Sequence, residues 1–177
     1  MSVSFSVFST SAPDINVVEW TAEANTCLRY LLNSPEDVFL DVEVFSGVEL
    51  VASMVPGETV FGFVENNILD RGGMILYGPV EDWEDVSDVP LFCFSISEIP
   101  RPNEDLLVVL CLALLISAAK FMGSTEIIDY HGIVNACSDQ TSIDDLMNLR
   151  IDKANSLDDA LKKFYRKLPL GSCPNDQ

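Results

Sequence analysis

Residues 104–123 read EDLLVVLCLALLISAAKFMG, and the reading of this stretch decides the fold. From Leu106 to Ala119 it is apolar for 14 residues, interrupted only by Ser117 and followed at once by Lys120. A membrane span needs about 20 such residues, so the run is read as a buried helix. Its ends carry matching signals. Asn103 is the N-cap candidate, Glu104 and Asp105 place carboxylates in the first turn where the helix dipole favours them, and Gly123 is the C-cap candidate. A helix that is apolar on every side must be covered on every side. The sequence therefore predicts a sheet against one face of this helix and further elements over the other.

Short strand candidates supply that sheet. SVSFSVF (2–8) alternates with period two, and VFLDVEVF (38–45) and VELVASMV (48–55) flank Ser46-Gly47 as a hairpin. TVFGFVE (59–65), GMILYGPV (73–80) and LFCFSIS (91–97) follow. Several of these put Phe, Val or Ile on one face and Asp, Glu or Ser on the other, the pattern of half-covered antiparallel strands. An early helix is expected over about Ala22–Asn33, opened by Thr21 and closed before Ser34-Pro35. After the central helix, 126–130 and 132–136 read as a short hairpin turning near His131-Gly132.

Two further helices close the chain. Ser142 has Asp145 three residues on, and Ser156 has Asp159 in the same relation, an acidic variant of the capping box. In the second helix Leu157, Leu161, Phe164 and Leu168 form one stripe, and Lys162, Lys163, Arg166 and Lys167 occupy much of the rest. It reads as a docked terminal helix in preference to a membrane-surface or calmodulin-like segment. The expected fold is a single α+β domain over 1–168: an antiparallel or mixed sheet from residues 2–97, a buried central helix at about 104–122, two C-terminal helices, and a flexible tail at 169–177.

Charge bounds the function. In 177 residues, 28 Asp and Glu stand against 10 Lys and Arg, a formal net of −18. Residues 1–149 hold 24 of the acids and only Arg29, Arg71, Arg101 and Lys120 as bases, whereas 150–177 hold 4 acids and 6 bases. The acidic field thus belongs to the body of the fold and not to a detachable tail. Such a surface lacks the basic footprint that nucleic acid requires and is repelled by anionic membranes. Its plainest role is solubility.

Chemistry-bearing motifs are sparse. The five cysteines, Cys27, Cys93, Cys111, Cys137 and Cys173, show no CxxC spacing, so neither a zinc site nor a disulfide framework is expected, and Cys93 and Cys111 lie in apolar runs as small hydrophobes. The amino terminus has no basic segment followed by an apolar run, so no secretory signal is expected and reduced cytoplasm is the anticipated location. His131 is the one histidine and reads as a turn residue. Nucleophile-elbow, phosphate-loop and dinucleotide signatures are missing, and the glycines of GETVFG (57–62) come without the lysine or helix start that a phosphate cradle needs. No catalytic residue, cofactor or metal is assigned, and the protein is not read as an enzyme. An enzyme would need a site built from carboxylates in a deep pocket with convergent polar groups.

One segment departs from an ordinary solvated surface. PVEDWEDVSDVP (79–90) packs Glu81, Asp82, Glu84, Asp85 and Asp88 around Trp83 between two prolines. The carboxylates attract a cationic partner while the indole fills a pocket, the pairing found at interface hot spots. The competing reading turns Trp83 onto the core and leaves the acids in water. Asp144, Asp145, Asp41 and Glu43 extend the same surface if the fold brings them to one side.

The stretch LLVVLCLALLISAAKFMGSTEIIDYHGIV (106–134), an apolar helix running through a glycine into a short hairpin, resembles a layout seen in α+β immunity proteins of bacterial toxin systems, including contact-dependent growth inhibition. The resemblance implies a small acidic cytosolic protein that binds one cognate toxin domain, often a basic nuclease, and blocks its active site or substrate surface. It transfers no individual residue. The alternative in the binding class is an acidic cytosolic secretion chaperone that wraps an extended effector segment over apolar grooves, for which salt matters less and exposed apolar surface more.

Overall fold

A computed structural model describes every residue except 1–2, 67–69, 81–90, 100–103, 131, 136 and 170–177. In chain order the elements are β1 (Val3–Ser9), β2 (Ile15–Asn16), α1 (Val17–Leu32), β3 (Leu40–Ser46), β4 (Glu49–Leu50), β5 (Ser53–Met54), β6 (Glu58–Asn66), β7 (Asp70–Pro79), β8 (Phe92–Ile99), α2 (Glu104–Met122), β9 (Glu126–Asp129), β10 (Gln140–Ser142), α3 (Ile143–Met147) and α4 (Leu157–Lys167). The fold is α+β. Among the described residues eight strands form one sheet in the order β10-β9-β1-β8-β7-β6-β3-β4, and β2 pairs with β5 in a second, two-stranded one. These pairings are antiparallel. No helix among the described residues is long and apolar enough to cross a membrane.

The central helix matches its sequence signals. From Val108 to Ala119 every residue is essentially buried, because α2 lies on β1, β8 and β9 and beneath α1 and α4. Its end is a Schellman motif: Gly123 takes φ +67°, its N–H bonds Lys120 O, and the Ser124 N–H bonds Ala119 O at 2.8 Å. Asn103 lies outside the described residues. Ser117, the polar interruption, donates to Trp20 O at 2.9 Å, and Trp20 Nε1 donates to Leu114 O at 2.9 Å, so two reciprocal bonds tie α1 to α2 inside the core. Trp20 meets Phe94 edge-on at 5.5 Å, which locks the helix pair onto the sheet.

Several expected boundaries move. Helix α1 begins at Val17, not near Ala22, because Asn16 is the N-cap and accepts from Glu19 N at 3.0 Å; Thr21 is buried inside the helix. Its end agrees, with Asn33 in the left-handed region as C-cap. The second arm of the 38–55 hairpin breaks after two pairs, Phe45↔Leu50 and Ser46↔Glu49, and Met54 turns away to pair with Ile15. The hairpin expected across 126–136 is replaced: β9 pairs with β1 and with β10 instead. Asp129, nearly fully buried, accepts from Val134 N at 2.7 Å and so holds 132–135 as a loop, where a second strand was expected. Both serine caps form as read, Ser142 accepting from Asp145 N and Ser156 from Asp159 N. The stretch 57–62 enters β6, where a Cβ on Gly62 would meet Ile75 Cδ1 at 2.5 Å; the glycine makes room for a core side chain. The tail expected at 169–177 lies outside the described residues from 170 onward.

Candidate partner-binding face

Period two sorts the strands into a face under the helices and a face turned away. Leu40, Val42 and Val44 of β3, Val60 and Val64 of β6, Ile75 and Tyr77 of β7, and Phe94 and Ile96 of β8 are buried in the core. The alternate residues are therefore outward: Asp41, Glu43 and Phe45 on β3, Phe61, Phe63 and Glu65 on β6, Met74 and Leu76 on β7, Cys93 and Ser95 on β8. In half-covered antiparallel sheets this face is expected to be polar. Here it carries a cluster of aromatic rings. Phe63 meets Phe45 edge-on at 5.8 Å and Phe61 at 4.7 Å, and Phe61 and Phe63 remain 42% and 44% exposed. Leu76 and Leu50 are exposed beside them.

Carboxylates border the rings in register. Glu43 is the direct cross-strand partner of Phe63, and Asp41 that of Glu65. Direct pairs sit with Cβ atoms about 5 Å apart, where like charges repel. Among the described residues no ion pair involves Asp41, Glu43 or Glu65. Every Lys and Arg whose side chain is described lies on the helical side of the molecule or the loop feeding α4: Arg29, Lys120, Arg150, Lys153, Lys162, Lys163, Arg166 and Lys167. Among the described side chains the outer sheet face is thus apolar at its centre and negative at one end.

The acidic loop read from the sequence, Glu81, Asp82, Trp83, Glu84, Asp85 and Asp88, lies outside the described residues. Its roots are described: Val80 N–H bonds Leu91 O at 2.9 Å and closes the β7–β8 hairpin. Those roots follow Pro79, whereas the Asp41–Glu65 pair adjoins Asp70 at the other end of β7. Nine steps of about 3.3 Å separate the two ends, roughly 30 Å. Asp144 and Asp145 do not join this surface. They open α3 directly after β10, six strands from β3, or roughly 29 Å at about 4.8 Å per strand. Asp145 is instead bonded by Ser142 Oγ at 2.7 Å, a helix-capping role. His131 is outside the described residues.

Among the described residues the nearest approach to a catalytic constellation is Cys27, Lys120 and Glu23, between α1 and α2. Lys120 Nζ bonds Glu23 Oε1 and lies 3.7 Å from Cys27 Sγ. Burial pushes the Cys27 thiol up against the attraction of Lys120, and it is almost fully enclosed. Partial burial pulls Lys120 down, yet its bonds to Glu23 and Cys27 hold it above its ordinary value. A protonated thiol beside a paired ammonium is a packed structural group, not a nucleophile. Among the described residues no three His, Cys, Asp or Glu side chains are grouped to hold a metal ion. Cys27, Cys93 and Cys111 are free thiols, whereas Cys137 is disulfide-bonded, which the spacing did not announce and which a reducing compartment disfavours.

Sequence reasoning named Asp41 and Glu43 but missed Phe45, Phe61 and Phe63. In TVFGFVE both alternations are apolar at alternate positions, so period two alone leaves open whether valine or phenylalanine faces inward. Gly62 was the available signal. A residue without a Cβ sits between Val60 and Val64 where Ile75 crosses, which sends the phenylalanines outward. Comparison of the chain with protein-family models, with curated proteins and with solved structures returns no match.

Proposed function

We propose that the protein is an acidic inhibitor of the immunity type, which captures a cationic toxin domain, a basic nuclease above all, on the outer face of its sheet and so blocks the toxin's active site or substrate surface. The single observation that carries this reading is the juxtaposition of Phe45, Phe61 and Phe63 with Asp41, Glu43 and Glu65, acids that make no ion pair among the described residues. Carboxylates at the rim steer a basic partner, and rings at the centre hold it once docked. With about 200 Å² per phenylalanine, 42–44% exposure leaves roughly 85 Å² of each ring to cover, near 2 kcal/mol apiece at ~25 cal/mol per Å². The loop residues Glu81, Asp82, Trp83, Glu84, Asp85 and Asp88 belong to the same proposal as a second acidic arm.

The exposed Phe61, Phe63, Leu50 and Leu76 also favour one other reading, a secretion chaperone that covers an apolar effector segment. The two differ in salt dependence. Phe61→Ser weakens capture under both, whereas Glu43→Gln slows capture only for the cationic partner. Binding of the protein encoded beside this one, measured with both variants at low and at physiological salt, separates them. A partner captured equally by wild type and both variants refutes the outer face as the interface.

A further inference from the structure

A groove lies where α1 meets the edge of β3. Strand β4 pairs only with Phe45 and Ser46, so among the described residues Leu40–Glu43 has no strand neighbour on that side. The Asn25 amide fills the first position: it accepts from Leu40 N at 2.9 Å and donates to Leu40 O at 2.7 Å, as a neighbouring strand's peptide group does. Because main-chain groups alternate sides along a strand, those of Val42 point to the same edge. There the Val42 N–H is held by the Asp41 carboxylate at 2.9 Å, a local contact of the kind that masks strand edges. The groove between this edge and the helix has a volume of about 610 Å³ and is lined by Val18, Thr21, Asn25, Arg29, Phe39 and Asp41 among others.

Two features of the groove specify an occupant. Val18 and Phe39, 74% and 43% exposed, give the rim an apolar grip. The charge balance is negative: the Arg29 guanidinium is engaged by Asp37 at 3.6 Å and by Val38 O at 3.3 Å, leaving Asp41, and Glu43 beyond it, as the unmatched charge. A strand edge covered at Val42 only by its neighbour's side chain takes an extended chain when that side chain swings aside, and the charge selects a basic one.

We propose that this groove binds an extended, basic peptide segment as an added strand beside β3, its main chain paired at Val42 in place of the Asp41 carboxylate, its apolar side chain between Val18 and Phe39, and its cationic side chain on the released Asp41. The site is distinct from the aromatic rings and shares only Asp41 and Glu43 with the outer face, so it stands whether or not the inhibitor reading does. The test is a titration of the ¹⁵N-labelled full chain with a blocked peptide of alternating lysine and valine. A glutamate–valine peptide and a lysine–valine peptide N-methylated at alternate residues serve as controls. Saturable shifts centred on Thr21–Asn25 and Leu40–Glu43 are expected with the basic peptide, at least tenfold weaker with either control. Asp41→Asn and Val18→Ser are each expected to bind the basic peptide several-fold more weakly, with melting temperatures showing both folded. Shifts confined to Phe61 and Phe63, equal binding of the controls, or wild-type binding by either variant overturns the assignment.

Discussion

Replacing Glu65 by lysine is expected to make the protein more stable and a poorer binder. Glu65 lies directly opposite Asp41 in the β3–β6 register, and both are exposed. A like-charged cross-strand pair is unfavourable by roughly 0.2–1 kcal/mol, and an opposite-charged one favourable by a similar amount. Glu65→Lys exchanges the first for the second, and solvent screening brings the total to about 0.5–1 kcal/mol. For a chain of this size 1 kcal/mol is worth roughly 2–4 °C, so the melting temperature rises by about 1–4 °C. Urea unfolding at low ionic strength reads the effect as a higher midpoint with an unchanged slope. The gain shrinks in 0.5 M salt, where charges are screened within a few ångströms. A midpoint that stays put or falls at low salt refutes the claim that Asp41 and Glu65 repel each other without a counter-charge, and with it the argument that a cationic partner relieves them. Natural surfaces that keep such a repulsion at a stability cost are commonly those used for binding.

Leu110→Asp puts a charge where the side chain is 3% exposed, a cost of several kcal/mol against a total domain stability of about 5–15, so the variant is expected to lack a cooperative melting transition. The Asp159 carboxyl is held below its ordinary value by its bond to Lys163 Nζ, helped by the Asn155 N–H. Its folded-state value being the lower one, it contributes stability above the unfolded carboxylate range near pH 4 and loses it as pH falls through the folded value. Urea midpoints of wild type and Asp159→Asn are therefore expected to differ at pH 7 and to converge on acidification. Burial pushes the Cys111 thiol up to about 12, so a chromogenic disulfide reagent at pH 8 reaches it only when the chain is unfolded; rapid labelling of Cys111 in the native protein contradicts the burial of α2.

The parts of the fold legible in the sequence are those where a local signal and a global demand coincide. The α2 limits followed from a fully apolar run ending in lysine and glycine, and the Ser142 and Ser156 caps from side chains that bond their own helix. Legibility failed where partners are remote. Asn16 outcompetes Thr21 as a cap because Trp20 must already be helical to reach Leu114 and Phe94, 94 and 74 residues away. The loop over 132–135 depends on the buried Asp129, a residue that the period-two pattern counts as an ordinary strand position. At the candidate site the acids Asp41 and Glu43 were visible as types, but the ring cluster beside them arises only when β3 and β6 pair in this register. The free β3 edge and its Asn25 plug were invisible, since nothing local announces that β4 stops after two residues.

The central claim is that a cationic partner is drawn to the outer face by charge and held there by the rings. Its most direct test is the association and dissociation kinetics of the protein encoded beside this one, followed by stopped flow from about 20 mM to 500 mM salt, with wild type, Glu43→Gln and Phe63→Ser. Wild-type association is expected to approach ~10⁸ M⁻¹s⁻¹ at low salt and to fall toward ~10⁵–10⁶ M⁻¹s⁻¹ as salt rises. Glu43→Gln is expected to associate more slowly with near-normal dissociation, and a folded Phe63→Ser to dissociate faster. Association that is independent of salt, with both variants indistinguishable from wild type, would contradict the claim.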